Sequence, residues 1–105
     1  MSTDKLTHPI VKAAITALNA GDSTAWFALF TQTAALYDDG KKMDFMVFFK
    51  KALGHERFTN IDSVANNGLD VFGEFHSDEW GNFRTYFKFH LNRDNKIERL
   101  DIGQA

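Results

Sequence analysis

Between Phe83 and Leu91 the chain alternates without a break. Phe83, Thr85, Phe87, Phe89 and Leu91 take one side, and Arg84, Tyr86, Lys88 and His90 take the other. A period of two is the signature of a strand, and here it separates rings from charges. Leu69, Val71, Gly73 and Phe75 alternate in the same way with Asp70, Phe72, Glu74 and His76. Near the end, Leu100 and Ile102 alternate with Arg99 and Asp101. A symmetric register across the loop SDEWG sets Val71 against Phe87, Leu69 against Phe89, Glu74 against Arg84 and Asp70 against Lys88. A two-residue turn at Asp94-Asn95 sets Phe87 against Ile102, Phe89 against Leu100 and Lys88 against Asp101. Both registers join opposite charges on one face, each pair contributing about 0.2–1 kcal/mol. A slip of one residue would turn every ring to the wrong side. The sheet is therefore expected to have a wet, charge-laddered face and a phenylalanine face, with helices covering the latter.

The helices lie in the N-terminal half. Thr7 is the expected N-cap of a first helix, with Pro9 in its first turn, where a missing N–H costs nothing. Ile10, Ala13, Ala14, Ala17 and Leu18 follow helical spacing, and Gly21 closes the helix. Asp22 caps a second helix whose apolar face is read as Trp26, Phe27, Leu29 and Phe30. Residues 34–40, AALYDDG, form a strand. Asp44 caps a third helix with Phe45, Phe48, Phe49 and Ala52 on one face, and Gly54 stops it. Residues 56–66 read as a weak strand, followed by a hairpin signal at Asn67-Gly68. The predicted order is α-α-β-α-β-β-β-β.

Eleven phenylalanines, two tryptophans and two tyrosines make 14% of the 105 residues aromatic, so a container is lined or filled with rings. Length allows one domain, residues 1–105. No cysteine is present, which removes disulfides, thiolate catalysis and zinc–thiolate sites. The formal charge of −2 gives no basic excess for phosphates, so no nucleic-acid partner is expected. No apolar run of about 18 residues occurs, so no membrane span is expected. The N-terminal stretch carries Asp4 and reads as an amphipathic helix rather than a leader, and a cytoplasmic location is expected.

Two helices joined by LNAGD at 18–22, a strand reading ALYDDG at 35–40, a third helix and a strand-rich C-terminal half resemble the nuclear-transport-factor-2-like superfamily. The polyketide-cyclase (SnoaL)-like and ketosteroid-isomerase-like branches are the most similar, over residues 8–104. The resemblance implies an α+β cone, a strongly bent antiparallel sheet cupping three helices, with an apolar pocket and often a homodimer. It also implies that Asp38, late in the first strand, stands where the isomerases keep their general base. The isomerases' oxyanion donors fall on Ala14 and Phe87, neither of which can donate, so the isomerase set is incomplete.

Asp38 is the candidate catalytic residue. It shares a strand face with Leu36, and a carboxylate among phenylalanines is raised toward usable basicity. The bland alternative is a hydrophilic strand end before Gly40. Trp26, Phe30, Phe48, Thr85, Phe87 and Leu100 are the expected pocket residues, with Thr85 the polar member among rings. A packed aromatic core would use the same residues. Asn60 and Asp62, or else Thr59, Ile61 and Ser63, face inward from the weak strand. His55 reaches toward the cone mouth, whereas His8, His76 and His90 lie apart. No histidine spacing suits a metal, and none is expected. Trp80, in a polar loop, is expected to be exposed or docked on a partner subunit.

Two functions fit. One is a small-molecule binder for an apolar ligand, with cofactor-free lyase or isomerase chemistry on Asp38. The other is a non-catalytic dimeric binding or assembly module with a filled cone. The sequence names the container and leaves open whether the protein is an enzyme.

Overall fold

The computed structural model describes residues 3–105. In chain order the elements are α1 (Pro9–Ala20), α2 (Ser23–Ala28), β1 (Phe30–Asp38), β2 (Lys41–Met43), α3 (Phe45–Ala52), β3 (Glu56–Ala65), β4 (Asp70–Ser77), β5 (Gly81–Leu91) and β6 (Ile97–Gln104). The predicted order holds, with the short β2 folding back on β1. One curved sheet runs β2-β1-β6-β5-β4-β3, and all neighbours are antiparallel except β1 with β6.

Cap chemistry sets the helices. The N-cap of α1 is His8, not Thr7: its Nδ1 accepts the Ile10 N–H at 3.2 Å, with Pro9 at the first helical position. Gly21 ends α1 at φ 66°, a conformation that favours glycine. Asp22 and Asp44 cap α2 and α3 by accepting from Ala25 N and Val47 N at 3.1 and 3.0 Å. Helix α2 is shorter than its apolar spacing suggests. Leu29 is its C-cap, and Phe30 already pairs with Ile97 as the first residue of β1.

The central registers are those set by charge and ring pairing. Val71 faces Phe87, Glu74 faces Arg84 and Asp70 faces Lys88. Phe87 faces Ile102, Lys88 faces Asp101 and Phe89 faces Leu100. The turns that deliver them differ from expectation. The β5–β6 connection is a longer loop, Asn92–Lys96, closed by Asn92 N to Lys96 O at 2.8 Å. A bulge between His90 and Leu91 then restores the same register. The β3–β4 connection spans residues 66–69 rather than two residues, with Asn66, Asn67 and Gly68 all at positive φ.

The phenylalanine face looks inward. Phe87 and Phe89 are 2% and 1% exposed, beneath a core that includes Val11, Ile15, Leu18, Trp26 and Phe49. Helix α1 lies against β3, and α2 and α3 lie against β1. The opposite face carries Arg99 stacked on Tyr37 at 4.2 Å and Lys88 over Tyr86 at 5.2 Å. Among the described residues no helix is long and apolar enough to cross a membrane.

Candidate functional site

A cavity of about 790 Å³ opens at one end of the sheet. Its apolar wall is Phe75 from β4, Phe83 and Phe87 from β5, Ile102 from β6, and Phe48 and Ala52 from α3. Its polar rim is Asp38 at the end of β1 and Asp39 after it, Lys51, His55 and Glu56 around the α3–β3 junction, and Asp78, Glu79 and Trp80 in the β4–β5 turn. Ligand cavities commonly measure about 300–1,000 Å³ and combine apolar walls with a few polar groups.

Four of the sequence-derived candidates line this cavity: Asp38, Phe48, Thr85 and Phe87. Trp26, Phe30 and Leu100 do not. They lie deeper, at 0%, 7% and 0% exposure, with Trp26 packed between Phe30 and Phe49 at centroid distances of 4.8 and 4.7 Å. Helix α3 brings Phe49 against the tryptophan, and these rings belong to the core rather than to the cavity lining. Thr85 is buried, and its hydroxyl donates to Gly103 O at 2.6 Å. That bond staples β5 to β6 and leaves the oxygen only as an acceptor. Asn60 and Asp62 face outward, where Asn60 Nδ2 donates to Asp62 Oδ1 and Asp62 pairs with Arg84. Phe58 and Ile61 are the inward residues of β3.

Asp38 is half-buried on the inward side of β1, two residues after fully buried Leu36. Burial raises its pKa above the ordinary carboxylate value, and the adjacent Asp39 charge adds to the rise. Among the described residues no hydrogen bond or ion pair reaches its carboxyl. Ala14 is buried inside α1 and Phe87 in the cavity wall, so neither position offers a hydrogen-bond donor beside it.

Glu56 is the site residue that sequence reasoning missed. It is half-buried, and its pKa is raised chiefly by burial. The Ser77 hydrogen bond lowers it, and the charges of Asp38, Glu79 and Asp78 raise it again. Ser77, 1% exposed, organises this corner. Its hydroxyl oxygen accepts from Glu79 N and Trp80 N at 3.2 and 3.1 Å, and its proton goes to Glu56 Oε2 at 3.1 Å.

A second chain of bonds crosses the outer rim. His55 Nδ1 meets Asp78 Oδ2 at 3.1 Å, His76 Nε2 meets Asp78 Oδ1 at 2.9 Å, and His76 Nδ1 meets Asn82 Oδ1 at 2.7 Å. With oxygen at both ring nitrogens, the protonated ring is favoured. The Asn82 and Asp78 bonds hold His76 above the ordinary histidine pKa, while the two histidines hold Asp78 below the carboxylate range. Among the described residues no group of three His, Cys, Asp or Glu is placed to hold a metal ion.

No protein-family model matches the chain, and no curated protein matches it by sequence. Solved structures do. An NTF2-like protein of unknown function from Cytophaga hutchinsonii superposes with a TM-score of 0.75 at 15% identity, over 100% of this chain and 95% of that one. A protein from Sinorhizobium meliloti, provisionally named a polyketide cyclase, gives 0.74 at 17% identity, over 91% and 94%. The canthaxanthin-binding orange carotenoid protein of Anabaena gives 0.76 at 19% identity, over 97% of this chain but 37% of that larger one. Matches over 91–100% of this chain and 94–95% of the Cytophaga and Sinorhizobium neighbours give this protein the nuclear-transport-factor-2-like fold.

Proposed function

We propose that this protein is a SnoaL-like binder of a small apolar molecule, held in the cavity between the phenylalanine wall and Asp38. The observation that carries this reading is the cavity itself. A cone filled by its own rings would leave no such volume, whereas about 790 Å³ remains beside Asp38, whose carboxyl no hydrogen bond or ion pair reaches among the described residues. Asp38 is the base in this reading. A carboxylate raised by burial takes a proton more readily than an exposed one. It would accept a proton from a carbon or hydroxyl of the bound molecule and return it elsewhere, as lyase or isomerase chemistry without a cofactor requires. The bound carotenoid of the Anabaena neighbour and the cyclase name of the Sinorhizobium neighbour set the probes to try first, polyenes and ring-shaped ketones. A cytoplasmic setting and a homodimer belong to the same proposal.

The second reading, a non-catalytic dimeric module, rests on Ala14 and Phe87, which leave Asp38 without an oxyanion donor at either isomerase-like position. Asp38→Asn separates the two. Unaltered binding of a ring-shaped ketone together with lost turnover supports the base. Unaltered binding with unaltered turnover removes Asp38 from the mechanism, and no turnover in either protein leaves the binding module.

A further inference from the structure

The cavity has two unlike sides. One side is rings and aliphatics: Phe48, Phe75, Phe83, Phe87 and Ile102. The other is acidic, with Asp38 at the end of β1, Asp39 after it, Glu56 on β3, and Asp78 and Glu79 in the β4–β5 turn. The basic side chains on this rim are Lys51 on α3 and His55. His55 is engaged by Asp78 at 3.1 Å, and among the described residues neither Lys51 nor His55 makes a hydrogen bond or ion pair with Glu56 or Asp38. Five carboxyls against one lysine and one histidine make a negative mouth, and low-dielectric walls concentrate such a field.

Asp38 and Glu56 are the two half-buried members. Glu56 is fixed by the buried Ser77 hydroxyl, while among the described residues no hydrogen bond or ion pair reaches the Asp38 carboxyl. The Asp38 charge disfavours ionised Glu56 and the Asp39 charge disfavours ionised Asp38, so a cation at this rim would relieve both, and an anion would meet repulsion from the five carboxyls. We infer that, given the cavity-binding reading above, the ligand is a compact apolar molecule carrying one cationic nitrogen, with its body on the phenylalanine wall and its ammonium between Asp38 and Glu56. Trp80, 72% exposed at the mouth, offers the nitrogen an aromatic face on entry.

Three isosteric probes test this: 1-naphthylmethylamine, 1-naphthylmethanol and 1-naphthoate. Calorimetry at pH 7.5 gives affinity, and amide shifts at Ser77, Thr85 and Gly103 show whether binding is inside the cavity. The expected result is that the amine binds about tenfold more tightly than the alcohol, equivalent to about 1.4 kcal/mol, with the naphthoate weakest. Asp38→Asn and Glu56→Gln each bring the amine toward the alcohol and leave the alcohol unchanged. Alcohol or naphthoate binding as tightly as the amine, with cavity amides shifting, overturns the cationic ligand and leaves the cavity reading standing. Failure of all three probes to shift those amides overturns both.

Discussion

Asp38 and Asp39 are neighbours in sequence but face different surroundings. Asp39 turns into positive φ at 50°, and its carboxyl accepts Gln104 N at 3.2 Å, closing the end of the β1–β6 ladder. Asp38 lines the cavity, its carboxyl reached by no hydrogen bond or ion pair among the described residues, and burial raises its pKa. A raised carboxyl holds its proton longer in the folded chain than in the unfolded one. Stability therefore falls as pH climbs from the ordinary carboxylate pKa through the folded value, and stays lower above it. Asp38→Asn is expected to match the parent near pH 4 and to equal or exceed it at pH 7, by no more than about 0.5 kcal/mol because solvent screens a half-buried group. Urea denaturation at both pH values checks this, and a clear loss at pH 7 would show the carboxylate holding the fold instead. His76 has the opposite sign. Its raised pKa gives a contribution present below the ordinary histidine value and lost as pH rises through the folded one. Asn82 is the larger cause and Asp78 the second, so Asp78→Asn lowers the His76 midpoint part of the way toward the ordinary value. Side-chain NMR titration reads the shift, and an unmoved midpoint would remove Asp78 from the rim network.

Strands β4, β5 and β6 were legible because each alternates cleanly and because charge and ring pairing demand one register. Strand β3 was not. It carries irregularities between Phe58 and Asn60 and between Ile61 and Ser63, so Phe58 and Ile61 point inward three residues apart and the period of two is broken. That break hid Glu56, whose site role depends on where the strand begins. It also left Asn60 and Asp62 undecided. The start of β1 was masked for a related reason: Trp26, Phe27, Leu29 and Phe30 fit helical spacing, and only the parallel bond to β6 commits Phe30 to the sheet. Gly73 shows what the bulged ladder demands. A methyl added there would strike the Asn60 carbonyl, which is backbone and cannot swing aside. Gly73→Ala is expected to destabilise by about 1–3 kcal/mol, the range for overpacking. Thermal denaturation measures it, and a neutral result would mean that β3 and β4 separate more easily than their pairing suggests.

At the scale of the molecule, the three helices and the inner face of the sheet share one apolar cluster, and the cavity is what that cluster leaves open at one end. Phe58 joins the two parts. Its ring meets Phe75 at 5.1 Å and Phe87 at 4.9 Å, edge to face, and both partners also wall the cavity. Phe58→Ala is expected to cost about 3–5 kcal/mol and to loosen the wall, read by chemical denaturation. A loss below about 1 kcal/mol would mean the wall does not depend on the core behind it. The proposed homodimer is a whole-molecule claim too. The charged outer face, with Tyr37, Arg99, Tyr86 and Lys88, would make a polar interface, and light scattering at micromolar concentration is expected to give twice the 12.0 kDa chain mass. The single-chain mass would refute the dimer.

A crystal structure of the protein soaked with a naphthyl probe bears most directly on the function. The expected density lies inside the bent sheet, its ring against Phe87 and Phe83 and its polar end beside Asp38. Density confined to the Tyr37–Arg99 face, or rings of the protein itself closing the space beside Asp38, would contradict a ligand site in the cone.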